Sequence, residues 1–153
     1  MPAHSETTDI STSSGPSHAV ILAAGYGSRL DPEVGHKVLV EIDGTKLLDR
    51  HLQNFAKVGV TDVTVVTGYE AEALTRELDD WETPDDLRLH TAHNPAFDLG
   101  NGISVLAGMR GESEPNVPKA PCWMTMSDHL FEPYLFDRLA ERRPWEQWEA
   151  DGL

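Results

Sequence analysis

An α/β fold built on a mostly parallel sheet is the architecture this sequence predicts, and three observations support it. Apolar, strand-like runs alternate with segments of helical spacing. The 153 residues leave room for one domain and one core. The blocks able to carry chemistry fall just after the strand-like runs. Such alternation implies parallel strands joined by right-handed helical crossovers, with ligands at the carboxyl ends of the strands. In chain order, residues 18–23 form a short apolar strand, and residues 45–58 place Leu47, Leu48, His51, Leu52 and Phe55 at helical spacing. Residues 62–67 are β-branched and read as a strand, 70–80 as a helix and 87–91 as the next strand. Residues 103–108 open a further helix, and 122–127 are an apolar strand. Glu132-Pro133 starts the last helix, with proline near the first turn where its missing N–H costs little, and the helix stops before Pro144. The proline-rich stretch 112–121 is expected to be a surface loop, and no segment repeats.

A compact chain of this length buries about 68–70% of its unfolded surface, and no second domain fits. Residues 1–17, rich in Ser, Thr, His and Pro with no basic start and no long apolar run, read as a disordered tail rather than a signal peptide or membrane span. The folded domain is expected over 18–143, and an atypical acidic tail carrying Trp145 and Trp148 over 144–153. The single cysteine, Cys122, excludes an intramolecular disulfide, and its apolar neighbours suit a buried thiol, so a cytoplasmic location is expected. A net charge of −14 disfavours nucleic acid as a partner. For a small anionic ligand the local cations decide, because charges beyond about 8 Å are largely screened at physiological salt.

Those cations lie in residues 20–37, where an apolar strand runs into a small-residue turn and then reaches Arg29 and Lys37. Small residues at Ala23, Ala24, Gly25 and Gly27 let backbone N–H groups approach phosphate oxygens closely. Arg29 and, eight residues later, Lys37 supply charged donors. A bare Gly-x-Gly after a strand is also compatible with a plain tight turn. Two better-known phosphate loops fit poorly: a dinucleotide fingerprint wants a third glycine where Leu30 stands, and Gly-Lys-Ser/Thr occurs nowhere. A nicotinamide-dependent oxidoreductase is correspondingly disfavoured.

Three blocks together resemble a known family. Leu22-Ala23-Ala24-Gly25-x-Gly27-x-Arg29-Leu30, with Lys37-Val38-Leu39-Val40 and Gly44-x-x-Leu47-Leu48, resembles the opening of the sugar-nucleotide type, MobA-like nucleotidyltransferases. Asn94-Pro95-x-Phe97-x-x-Gly100-Asn101-Gly102-Ile103-Ser104-Val105-Leu106 is similar to the branch of cytidylyltransferases acting on inositol 1-phosphate or phosphocholine. Met124-Thr125-Met126-Ser127-Asp128-His129-Leu130-Phe131 looks like the metal-binding strand end of the same family. The resemblance covers about residues 19–143. It implies the nucleotide-diphospho-sugar transferase fold, a Rossmann-like three-layer sandwich, incomplete here at its C-terminal end.

The resemblance further implies attack by a substrate phosphate oxygen on the α-phosphorus of CTP, with pyrophosphate leaving. The acceptor would be a small phosphorylated alcohol or sugar, inositol 1-phosphate favoured. Backbone amides from Ala24 to Ser28, with Arg29 and Lys37, would hold the phosphates and neutralise charge on the leaving pyrophosphate. The backbone of Leu22 to Gly25 would contact base and ribose. Asp128, just after an apolar strand, would hold Mg²⁺, which takes one or two carboxylates plus phosphates and waters. A turn cap is the alternative role for Asp128, and His129 reads as a supporting or packing residue. Asn101, Gly102 and Ser104 offer amide, backbone and hydroxyl groups to a pyrimidine edge, while Asn101 also suits a helix cap. Thr67, Gly68 and Tyr69 either close the base pocket or make a strand-to-helix turn. Two departures stand out: His36 occupies a position where relatives carry proline, and the acceptor-binding strands with a second metal-binding carboxylate, which follow the Asp128 block in relatives, have no counterpart here. A truncated, non-catalytic nucleotide-binding module and a sugar-phosphate transferase using another nucleotide are therefore alternative expectations.

Overall fold

The computed structural model describes residues 15–26, 35–110 and 121–142. Residues 1–14 of the tail expected over 1–17, residues 112–120 of the proline-rich loop expected over 112–121, and residues 143–153, including Trp145 and Trp148, lie outside the described residues. Four strands form one parallel sheet: β1 (His18–Leu22), β4 (Asp62–Thr67), β5 (Arg88–His93) and β6 (Trp123–Met126). A separate hairpin pairs β2 (Glu41–Ile42) with β3 (Thr45–Lys46). The helices are α1 (Leu47–Lys57), α2 (Ala71–Asp79), α3 (Asn101–Arg110) and α4 (Pro133–Arg142), with short 3-10 turns at Lys37–Leu39 and Phe97–Leu99.

The sheet is buried on both faces, which is why the inner strand β1 is continuously apolar from Ala19 to Leu22 rather than alternating. All six residues of β4 are buried. Ala19, Ile21, Val63 and Val65 face Leu48, Leu52 and Phe55 of α1, Leu74 and Leu78 of α2, and Phe136 of α4. Val20, Leu22, Ala24 and Val66 point the other way, toward Val105, Ala107 and Met109 of α3. That is the expected three-layer sandwich. Each fully buried Leu or Phe contributes about 1.5–3 kcal/mol against solvent exposure. α3 lies so close to the sheet that a Cβ on Gly108 would meet Val20 Cγ1 at 2.6 Å and Val66 Cγ2 at 2.9 Å.

Strand order is β5-β4-β1-β6. The chain steps outward from β1 through β4 to β5, then crosses back to place β6 on the far side of β1. Winding therefore reverses between β1 and β6, and in open α/β sheets that reversal opens a crevice at the carboxyl ends of the two strands.

Most expected elements are present, and the differences have local causes. Thr45 and Lys46 belong to the hairpin rather than to α1, because Asp43 and Gly44 adopt φ of 51° and 74°. A two-residue loop with positive φ at both positions matches the twist of paired strands, and Asp-Gly is its usual sequence. The third sheet strand runs two residues beyond the expected end, to His93, because its pairing with β4 continues to Thr67↔His93. α3 starts at Asn101, two residues before the expected 103. Among the described residues no helix is long and apolar enough to cross a membrane.

Candidate active site

The crevice between β1 and β6 is floored by backbone. Beyond β1, Ala23 N–H donates to the Val66 carbonyl at 3.0 Å, and the carbonyls of Leu22 and Ala24 accept from Ser127 and Tyr69 at 3.0 and 2.9 Å. These bonds tie the β1 turn to both neighbours. The side chains of Leu22, Ala23 and Ala24 are buried, whereas Gly25 is exposed and a Cβ there would meet nothing within 4 Å. Gly27, Ser28 and Arg29, the rest of the expected phosphate loop, lie outside the described residues.

Lys37 opens the 3-10 turn Lys37–Leu39, which is pinned by the buried Val38 and by Leu39 N–H donating to the His36 carbonyl at 2.9 Å. His36 sits at φ −73° and ψ 134°. A proline fixes φ near −65°, so histidine keeps the backbone that proline would impose. From there the Lys37 ammonium reaches Asp128, 91 residues away, and donates to Oδ2 at 3.1 Å. His129 Nδ1 lies 3.0 Å from the other carboxylate oxygen. Partial burial pushes the Asp128 pKa up, but Lys37 and His129 together more than offset this and hold it below its ordinary value. Asp128 is therefore a carboxylate with both oxygens engaged by donors.

Of the expected catalytic and metal residues, Lys37 and Asp128 are thus neighbours. Among the described residues no cluster of three or more His, Cys, Asp or Glu is arranged to hold a metal. One carboxylate is still compatible with Mg²⁺, a hard cation that takes most of its oxygens from phosphate and water.

The second block divides by role. Asn101 and Gly102 are exposed on the first turn of α3, and a Cβ on Gly102 would meet nothing within 4 Å. Ser104 is 4% exposed, and its hydroxyl accepts from Asn94 Nδ2 at 2.9 Å. Asn94 Oδ1 in turn accepts from Ala96 N–H at 3.0 Å, and Asn94 N–H donates to the Thr67 carbonyl at 2.8 Å. Ser104 is therefore tied inward to the end of β5, which the polarity of its side chain did not foretell. The Asn-Pro pair at 94–95 was the available signal for that fastening, since asparagine readily bonds backbone two residues on.

Sequence reading named Tyr69 but missed the two rings that gather around it. Tyr26 lies 4.9 Å from Tyr69 and 5.0 Å from Phe97, measured between ring centres, while Tyr69 and Phe97 are 6.4 Å apart. The three rings follow β1, β4 and β5 respectively, and Tyr26 is 57% exposed. Gly68 makes this convergence possible, because a Cβ there would stand 2.5 Å from Phe97 Cβ and 2.7 Å from the Ala24 carbonyl oxygen. Two concavities lie elsewhere: about 500 Å³ between the end of β5 and Ile103, Leu106 and Arg110, and about 450 Å³ between Thr67, His93 and Arg76. Neither holds the charge pair. Cys122 is half-buried, and burial pushes its thiol pKa up, as its apolar neighbours suggested.

A second charge cluster marks the opposite end of the sheet. Asp62 accepts from Arg88 Nε and Nη2 at 2.9 and 2.8 Å, and from Thr61 at 2.8 Å, with His90 Nε2 3.0 Å away. Asp62 and Arg88 face each other in the β4–β5 register at the amino ends of their strands, far from the crevice in strand terms. The cluster fastens strands.

Residues 19–150 match the model of the MobA-like NTP transferase domain. The chain is 32% identical over 122 residues to the bifunctional IPC transferase and DIPP synthase of Rubrobacter xylanophilus, covering 79% of this chain and 26% of that protein. It is 33% identical over 127 residues to the CMP-5'-(3-aminopropyl)phosphonate synthase of Streptomyces rubellomurinus, covering 82% of this chain and 19% of that one. Among solved structures, the inositol-1-phosphate CTP transferase of T. maritima superposes with a TM-score of 0.59 at 27% identity, covering 80% of this chain and 48% of that one. The chain thus spans about half the length of that solved relative and about a quarter and a fifth of the two curated ones. With 132 of its residues under one family model and the Lys37–Asp128 pair at the switch point of a parallel sheet, the chain belongs to the MobA-like NTP transferase domain family of nucleotidyltransferases.

Proposed function

We propose that this chain carries the nucleotide-binding side of a cytidylyltransferase, which transfers a cytidylyl group from CTP to a small phosphorylated alcohol, inositol 1-phosphate favoured. The observation that carries the reading is the 3.1 Å contact of Lys37 with Asp128 at the mouth of the β1–β6 crevice. A cation and an anion held together at the carboxyl end of the sheet form the pairing that a magnesium-bound polyphosphate can divide between its own charges. The names of two relatives, a CMP-phosphonate synthase and an inositol-1-phosphate CTP transferase, support cytidine as the nucleoside.

In the proposed reaction an acceptor phosphate oxygen forms a bond to the α-phosphorus. The bond from that phosphorus to the bridging oxygen breaks, and pyrophosphate departs with the electron pair. The N–H groups around Ala24, Gly25, Gly27 and Ser28 line the phosphates, and Arg29 and Lys37 neutralise charge on the departing group. Leu22 and Ala23 set the floor against which ribose and base lie. Asn101 and Gly102 face the base edge, while Ser104 acts through Asn94 by fixing the start of α3. Tyr69, with Tyr26 and Phe97, offers the apolar flank of the pocket. Asp128 would hold Mg²⁺, which when bound supplies Lewis-acid neutralisation of the phosphate oxygens. We assign the reaction to the cytoplasm, where nucleoside triphosphates are available.

Calorimetric titration with CTP and ATP, followed by pyrophosphate release with inositol 1-phosphate, phosphocholine and sugar phosphates, tests the proposal. We expect CTP to bind more tightly than ATP, because polar groups left unpaired by the wrong base penalise it. Asp128→Asn is expected to remove the Mg²⁺ dependence of CTP binding. Equal CTP and ATP affinity would refute the cytidine assignment. CTP binding without turnover on any acceptor would refute the transfer step and leave nucleotide binding alone.

A further inference from the structure

Helix α1 touches both halves of the charge pair. Its first residue, Leu47, donates its N–H to the Val40 carbonyl at 2.9 Å and so closes the segment that begins at Lys37. One turn later, His51 is 2% exposed and its Nε2 lies 3.4 Å from the Ser127 carbonyl, the residue immediately before Asp128. Its surroundings are otherwise aromatic, with Phe55 and Phe131 rings at 6.5 and 6.3 Å. A leucine would fill this volume with nothing to satisfy. Histidine gives up its hydration there and regains a hydrogen bond to one carbonyl. Burial pushes its pKa down, which keeps the imidazole neutral, and since a carbonyl only accepts, Nε2 carries the proton. A second route joins the same groups: Phe131 stacks on the His129 ring at 5.9 Å, and His129 meets Asp128 at 3.0 Å.

We propose that His51 is a positioning residue that sets the Asp128 carboxylate opposite Lys37 by donating from Nε2 to the Ser127 carbonyl. This rests on the proposed role of Asp128 as the metal ligand. α1 then holds the lysine segment with its first turn and the carboxylate turn with its second, so that the distance between them is fixed by one rigid element.

The test uses the full chain, two apolar variants of different shape, His51→Phe and His51→Leu, and His51→Gln, whose amide keeps an N–H donor. Hydrogen exchange of residues 126–131 without ligand reports the anchor, and Mn²⁺ binding in the presence of CTP, followed by electron paramagnetic resonance, reports the carboxylate. We expect faster exchange at 126–131 in both apolar variants with unchanged protection of β4. We also expect at least about tenfold weaker Mn²⁺ binding, as loss of an outer-shell partner produces, and recovery of both in the glutamine variant. If one apolar variant loses β4 protection, the other carries the comparison. Parent-like exchange in the apolar variants would overturn the proposal, and so would faster exchange with parent-like Mn²⁺ affinity. Failure of the parent chain to bind Mn²⁺ with CTP would overturn the metal role of Asp128 itself, while the exchange data would still judge the anchor.

Discussion

Replacing Lys37 by methionine separates a functional charge pair from a structural one. Methionine keeps most of the apolar stem and deletes only the ammonium, so the packing of Val38 and the 3-10 turn should survive. The side chains of Lys37 and Asp128 are 29% and 39% exposed. An ion pair so open to water contributes about 0–1 kcal/mol to folding, because solvent screens the attraction and two long side chains are held still for it. For a domain of this size that moves the unfolding midpoint by no more than about 4 °C. A charge-assisted contact from the same ammonium to a phosphate oxygen is worth about 1.5–3 kcal/mol, a loss of roughly 10–150-fold in affinity. Lys37→Met should therefore unfold within a few degrees of the parent while binding CTP one to two orders of magnitude more weakly. Thermal unfolding and calorimetric titration on the same preparations measure both. A destabilisation beyond about 2 kcal/mol with unchanged CTP affinity would show that the pair serves the fold and would refute the reasoning.

Two further predictions concern the framework. Burial raises the Asp62 pKa, but hydrogen bonds from Arg88, His90 and Thr61 outweigh it and hold the carboxyl well below its usual range. A depressed native pKa stabilises the fold fully above the unfolded value near 3.9 and loses that contribution as pH falls through the native value. Stability should thus be insensitive to this group from pH 7 to 5 and decline below pH 4. Asp62→Asn should lower stability at pH 7 and flatten that acid limb, and an unaltered limb in urea titrations would argue against it. For Gly108→Ala, helix propensity alone predicts a gain of about 1 kcal/mol, whereas contacts of 2.6 and 2.9 Å to branched valines of the sheet predict an overpacking cost of about 1–3 kcal/mol. We expect a net loss of up to about 2 kcal/mol in denaturant unfolding; a net gain would mean that α3 can lift from the sheet cheaply.

Read alone, the sequence determined the class of fold and the identity of the charged partners. The run Asp62–Thr67 is a strand because its side chains suit a sheet buried on both faces, and Leu48, Leu52 and Phe55 recur at the spacing that faces one side of a helix. Lys37 and Asp128 each stand after a recognisable local pattern. The Asp43-Gly44 hairpin was equally local, and its turn signal was simply overridden by the helical spacing that follows it. What only the tertiary structure decided is which of these patterns meet. Lys37 reaches Asp128 because β6 pairs with β1 rather than with β5, and strand order depends on which faces can be covered together, a quantity no window of the chain contains. The same holds for His51 beneath Ser127, for the three rings brought from the ends of three strands, and for Ser104, whose hydroxyl turns inward because Asn94 is packed beside it. Propensity acts over a few residues and is written in the sequence. Proximity is settled by the burial of whole elements against one another, and the site follows from that.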